Sequence, residues 1–147
     1  MTRDCLATPV PFSLGTAAPR TALPAEACDC HVHVYDQRFP SAPGARLLPP
    51  DASASDYRAL QQRLGTERTV LVTPSTYGAD NRCMLQGLAV LGEQARGVAV
   101  IDGSESVAQL QALHDAGVRG VRLNLSLGVT GSVDSILPLA QRIAPWG

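Results

Sequence analysis

Apolar positions along this chain repeat on two spacings. Thr69-Val70-Leu71-Val72-Thr73, Gly97-Val98-Ala99-Val100-Ile101 and Gly120-Val121-Arg122-Leu123-Asn124-Leu125 are short apolar runs that read as buried strands. An earlier run, Cys28-Asp29-Cys30-His31-Val32-His33-Val34, reads as a first strand. Between these runs the spacing lengthens to three and four. Tyr57, Leu60 and Leu64 share one helical face, with Ser55 as the cap and Gly65 as the stop. Leu85, Leu88 and Leu91 predict a second helix that Asp80 or Asn81 would cap. Val107, Leu110 and Leu113 predict a third, opened by a Ser106/Gln109 capping box and ending at Gly117. Residues 134–144, with Ile136, Leu139 and Ile143, predict a fourth.

The order is therefore β-α-β-α-β-α-β-α. Such alternation predicts an α/β fold with a parallel sheet and right-handed crossovers. Two architectures satisfy it, an open doubly wound sheet and a (β/α)8 TIM barrel. No glycine-rich phosphate loop follows the first strand, which weakens a dinucleotide-binding sheet. A barrel takes eight units and about 250 residues; this chain supplies the first four units. Residues 1–26 read as an irregular, proline-rich arm and residues 27–147 as the N-terminal half of a barrel. Residues 36–53 hold Pro40, Pro43, Pro49 and Pro50, a long loop of the kind that often serves function.

Composition narrows the functional classes. The formal net charge of −1 over 147 residues leaves no basic footprint for nucleic acid or an anionic membrane. No run approaches the roughly 18 apolar residues of a membrane span. All 12 basic residues are arginines, so Schiff-base and P-loop lysines are excluded within the chain. Four cysteines without a secretory-type start predict reduced thiols and a cytoplasmic location.

The chemistry concentrates in the first strand. Strict alternation would project Asp29, His31 and His33 together and turn Cys28, Cys30, Val32 and Val34 under the helices. Two imidazoles at i and i+2 can share one ion such as zinc, which wants three or four protein ligands in all. Without a metal they can donate to a developing oxyanion. A joint Cys28/Cys30 and histidine metal site is the less favoured arrangement, because alternation sets the two groups on opposite faces. In the fourth strand Arg122 and Asn124 share a face, and an arginine there suits bidentate binding of a carboxylate. Arg119 has the opposite parity and falls near the strand start. Ser75 and Tyr77 follow the second strand, where they either hydrogen-bond a substrate or serve as turn residues beside Pro74 and Gly78. His114 near a helix C-terminus reads as a surface residue favoured by the dipole.

These residues resemble a known family. Asp29-Cys30-His31-Val32-His33 is similar to the D-x-H-x-H signature of amidohydrolase-superfamily barrels. Val72 through Arg82, Arg96 through Asp102 and Ala116 through Asn124 are similar to the second-strand loop, third strand and fourth strand of amidohydrolase-related (amidohydrolase 2) proteins, the 2-pyrone-4,6-dicarboxylate lactonase-like group above all. The resemblance runs in order over residues 27–147. It implies a distorted (β/α)8 barrel that opens a lactone or a related C–O or C–N bond on a small carboxylated substrate. His31 and His33 would be catalytic or hold the metal. Ser75, Tyr77, Arg122 and Asn124 would bind substrate. The cofactor would be one divalent metal such as zinc, or none if the chain follows the metal-independent lactonase branch.

Two departures refine this. Binuclear members use a carboxylated lysine that this chain lacks, which points to a mononuclear or metal-free site. Ser126–Gly131 is uncharged where the lactonase branch carries basic residues, which points away from a dicarboxylated pyrone. Further family groups, a later histidine and the aspartate that activates water, belong to later strands. The chain is thus expected to be a truncated half-barrel that could pair with a second copy to close its sheet. The alternatives are a metal-dependent non-oxidative decarboxylase of the same superfamily and a non-catalytic barrel fragment.

Overall fold

A computed structural model describes Ser13, residues 17–125 and residues 132–146 of the chain. Most of the expected 1–26 arm and the uncharged stretch 126–131 lie outside the described residues. Residues 17–26 hold no helix or strand.

The described elements alternate as expected: β1 (Cys28–Val32), α1 (Ala54–Leu64), β2 (Arg68–Val72), α2 (Arg82–Leu91), β3 (Ala95–Ala99), α3 (Val107–Asp115), β4 (Val118–Val121) and α4 (Ile136–Ile143). The four strands form one parallel sheet in the order β1-β2-β3-β4. That order separates the two architectures left open by the sequence. A doubly wound sheet reverses direction at a switch point and interleaves its strand order. Here every strand lies beside its sequence neighbours, as in a (β/α)8 barrel, and right-handed crossovers then put the helices on one face.

That face carries the core. Val34, Ala54, Leu71, Cys83, Met84, Leu88, Ala95, Ala99 and Val118 join β1–β4 to α1 and α2. A second cluster of Ile101, Leu110 and Leu139 seats α3 and α4, with Val121 and Leu123 packed against it. The α2 helix sits close to the sheet because glycine lies in the contact on both sides. A Cβ on Gly97 would stand 2.9 Å from both Leu88 Cδ1 and Met84 Sδ, and one on Gly87 would stand 2.7 Å from Leu71 Cδ1.

Several local expectations shift. The cap of α1 is Ser53, not Ser55. Its hydroxyl accepts the Asp56 backbone N–H and the Asp56 carboxylate takes the Ser53 N–H, a complete capping box. Gly65 ends the helix in the left-handed region at φ 81°. The Ser106/Gln109 box of α3 forms as expected, although Val107 is exposed. Both β3 and β4 start earlier than their apolar runs suggest: the exposed Arg96 pairs with Val70, and the exposed Arg119 is an extra residue of β4 between the Gly97–Val118 and Val98–Gly120 pairings. Their side chains turn back to carbonyls before the strand, Arg96 to Glu93 and Arg119 to His114. His114 lies in the last turn of α3, half-buried.

The first strand departs most. Asp29 pairs with Thr69 and Val32 with Leu71, so β1 carries one more residue than β2 between the two pairings. This bulge breaks strict alternation. The Asp29 carboxylate is taken up by α1, accepting the Tyr57 hydroxyl at 3.1 Å, although Asp29 and His33 line one cavity beside that helix. Cys28 and Cys30 do not pack under the helices and are exposed, whereas Val32 and Val34 join the core and Cys83 is buried there.

Candidate active site

Three side chains gather at the C-terminal ends of the strands, where parallel barrels carry their active sites. His31 and His33 leave β1 with ring centroids 5.0 Å apart and planes at 79°. His33 Nδ1 stands 2.8 Å from the Val72 carbonyl at the end of β2. A carbonyl oxygen only accepts, so Nδ1 carries the proton and the neutral ring presents Nε2 as an acceptor. The next carbonyl, Thr73 O, accepts Arg122 Nη1 at 3.2 Å, while the Arg122 backbone N–H bonds Ala99 O at 2.8 Å. Two consecutive carbonyls at the end of β2, Val72 and Thr73, therefore hold a histidine that follows β1 and an arginine that follows β4.

Electrostatics follow from this placement. Burial pushes the His33 pKa below its ordinary value, the Val72 hydrogen bond opposes the shift, and the neighbouring His31 and Arg122 add to it. Neutral imidazole is thereby favoured, leaving Nε2 open to accept. Tyr35, whose ring lies 6.2 Å from His33, has its phenol pKa pushed up by burial and pulled back by Arg122. Tyr35 is a member of the cluster that the sequence pattern did not single out. Its signal was weak: one aromatic two positions beyond the second histidine.

The other expected site residues are distributed unevenly. Ser75 is half-buried at the start of a single 3-10 turn, Ser75–Tyr77, directly after β2. Tyr77 is buried, and its hydroxyl accepts the Asp36 N–H at 2.9 Å and donates to the Asp36 carbonyl at 3.2 Å. Its phenol, pushed up to about 12 by burial, is committed to holding the long loop. Thr76 anchors the same loop by donating to Leu47 O at 3.0 Å. A backbone bridge between Tyr35 and Ala52 closes it. Asn124 is buried just beyond β4.

Asn81 does not cap α2 through its side chain. Asp80 takes the Arg82 N–H instead, and the Arg82 guanidinium beside it holds the Asp80 carboxyl below the usual range. The Asn81 amide spans β2 and β3. Its Oδ1 accepts Thr73 Oγ1 at 2.8 Å and Val100 N at 2.9 Å, and its Nδ2 donates to Val100 O at 2.8 Å.

A metal finds an incomplete donor set. Locking Nδ1 of a histidine on a carbonyl is how metal-bound imidazoles are oriented. Yet among the described residues no group of three or more His, Cys, Asp or Glu side chains could hold an ion. A catalytic zinc needs three protein ligands, and two imidazoles beside an arginine do not complete that set. Among the described residues no helix is long and apolar enough to cross a membrane.

Known proteins are similar to this chain in sequence and fold. The amidohydrolase family profile matches residues 28–138. A 2-pyrone-4,6-dicarboxylate hydrolase of Comamonas testosteroni is 44% identical over 88% of this chain and 44% of its own length. A D-galactarolactone isomerase of Agrobacterium fabrum is 35% identical over 75% of the chain and 38% of its own length. Among solved structures, an Agrobacterium tumefaciens protein in its apo form superposes with a TM-score of 0.75 at 32% identity, over 86% of this chain and 46% of the other. A probable 2-pyrone-4,6-dicarboxylic acid hydrolase of Acinetobacter baumannii with citric acid bound gives 0.74 at 25% identity, over 82% and 46%. The chain thus spans less than half the length of each of these four proteins. By its profile match across most of its length and by its sheet order, the chain belongs to the amidohydrolase family.

Proposed function

We propose that this chain forms part of the active site of a hydrolase that opens a lactone bearing a carboxylate. The observation that carries the reading is that His33 and Arg122 rest on adjacent carbonyls at the end of β2, with Nε2 of His33 left open, the guanidinium nearby and the His31 ring 5.0 Å from that of His33. Arg122 anchors a substrate carboxylate through charge-assisted hydrogen bonds. His31 donates toward the ring carbonyl oxygen, where charge develops as water adds to the carbonyl carbon. The neutral His33 accepts a proton at Nε2. The ring C–O bond then breaks and the alkoxide takes up a proton, giving a hydroxy acid. Ser75, in the turn that follows β2, and Asn124, buried just beyond β4, add hydrogen bonds to substrate. Tyr77 acts from behind, by fixing the loop at Asp36.

Relatives support the substrate class. Their names specify a pyrone dicarboxylate, galactarolactone and 4-sulfomuconolactone, and one neighbour holds citric acid. All are oxygenated small molecules, and the dicarboxylate and sulfo groups among them are anionic. The test is to add these three lactones to the chain and follow both ring opening and the His33 and Arg122 resonances. We expect at least one lactone to perturb both side chains, with the effect lost in His33→Ala and in Arg122→Leu. If no lactone perturbs either group, or both variants respond like the parent, the reading is wrong.

A further inference from the structure

His33 and Arg122 come from opposite edges of the sheet, yet both depend on one short piece of backbone, Val72–Thr73. Ladder bonds and one side chain fix that piece. Thr73 is fully buried, and its N–H bonds Val98 O at 3.0 Å, continuing the β2–β3 ladder. Beyond this point the ladder ends and side chains take over. Asn81 Oδ1 accepts both the Thr73 hydroxyl and the Val100 N–H, while Nδ2 donates to the Val100 and Ala79 carbonyls. Every donor and acceptor site of the amide is engaged. A primary amide carries two donors and an oxygen that accepts twice, and no other uncharged side chain of that size offers both sets. An aspartate would turn an acceptor oxygen toward the Val100 carbonyl, and a leucine would leave the Val100 N–H and C=O without partners.

We infer that Asn81 is a positioning residue for the active site: by clipping the end of β2 to the end of β3 it sets the two carbonyls on which His33 and Arg122 rest. The inference builds on the assignment of His33 and Arg122 to that site. It differs from helix capping and from general core support in acting on the orientation of two particular side chains. The clip is built from neutral hydrogen bonds, and its geometric effect reaches the histidine through Val72 O.

The experiment reads orientation rather than turnover, so it stands apart from the lactone test. Imidazole nitrogen NMR on the whole chain, at a pH where His33 is neutral, gives the ratio of its Nδ1–H to Nε2–H tautomers. His31 serves as the internal reference. In the parent the Nδ1–H form of His33 dominates, because Val72 O accepts that proton. In Asn81→Asp and in Thr73→Val the ratio falls severalfold toward that of a free imidazole, and the Arg122 side-chain N–H resonance moves with it. Thr73→Val keeps the buried shape and cuts a single bond to Asn81, so it serves if the aspartate variant does not fold. Leu88→Ala, a core substitution away from the clip, is the control: it lowers stability and leaves the His33 ratio at the parent value. The inference is overturned if the clip variants lose stability like Leu88→Ala while the His33 tautomer ratio and the Arg122 resonance stay at parent values. Failure of the lactone test alone, with the tautomer shift present, would remove the substrate and leave the positioning role standing.

Discussion

Substituting Gly97 by alanine tests how closely α2 rests on the sheet. The new Cβ would meet Leu88 Cδ1 and Met84 Sδ at 2.9 Å and Val118 Cγ2 at 3.1 Å. Those neighbours are 5%, 1% and 8% exposed, so none can swing out into solvent. Overpacking of this kind costs about 1–3 kcal/mol. Alanine recovers about 0.5–1 kcal/mol of the entropy that glycine loses in a strand. The net is a destabilisation of about 1 kcal/mol, which for a chain of this length lowers the melting temperature by about 3–4 °C. Urea unfolding followed by circular dichroism and by the fluorescence of Trp146, the single tryptophan, measures it. The cause is checked by a double-mutant cycle with Met84→Ala. That change alone opens a cavity and costs about 2–5 kcal/mol. In the double variant the methyl group added at position 97 partly fills that cavity. The combined cost should therefore fall short of the sum of the two single costs by about 0.5 kcal/mol or more, the lower limit for residues in contact. An unchanged or raised stability for Gly97→Ala, or strict additivity in the cycle, would refute the claim that α2 is seated this close.

Capping and protonation each give a further test. Ser53→Ala removes the α1 capping box and costs about 1 kcal/mol, whereas Ser55→Ala changes stability by less than about 0.5 kcal/mol; chemical denaturation of both variants decides which serine caps the helix. The His33 pKa is lowered in the fold from its ordinary 6.5, chiefly by burial, so the unfolded chain binds the proton first as pH falls. Its contribution to stability is therefore complete above pH 6.5 and is lost as pH drops through the folded value; melting curves against pH should show a downward step there that His33→Ala lacks.

Much of the fold is legible in the residues because each element has a local cause. The Ser106/Gln109 box and the stop at Gly65 depend on neighbours within a turn or two and appear where the pattern puts them, whereas on α2 only Leu88 of the expected stripe is buried, beside Cys83, Met84 and Gly87, with Leu85 and Leu91 partly buried. The histidine pair at the end of the first strand is legible for the same reason. What could not be read depends on residues far apart in sequence. One extra residue in β1, set by pairing with β2, breaks strict alternation, and the Asp29 carboxylate is bonded by Tyr57 of α1. Asp80 and Asn81 read as caps, because short polar residues before a helix usually are; only the approach of Thr73 and Val100 makes Asn81 a clip. Tyr77 reads in the sequence either as a substrate contact or as a turn residue, and in the fold its hydroxyl bonds the Asp36 backbone across 41 residues of chain.

The consecutive strand order also bears on how the sheet assembles. Cys28 finds Arg68 across about twice as much intervening chain as Gly97 needs to reach Val118. Each doubling of a flexible loop adds about 0.6 kcal/mol to the entropy of closing it. The β3–β4 pair is thus the easiest to nucleate and β1 the hardest to recruit. During refolding, amide protection should spread from β4 toward β1. The strand that carries both imidazoles then docks onto a β2 end already stitched to β3, so its histidines arrive at a rigid acceptor instead of having to shape one.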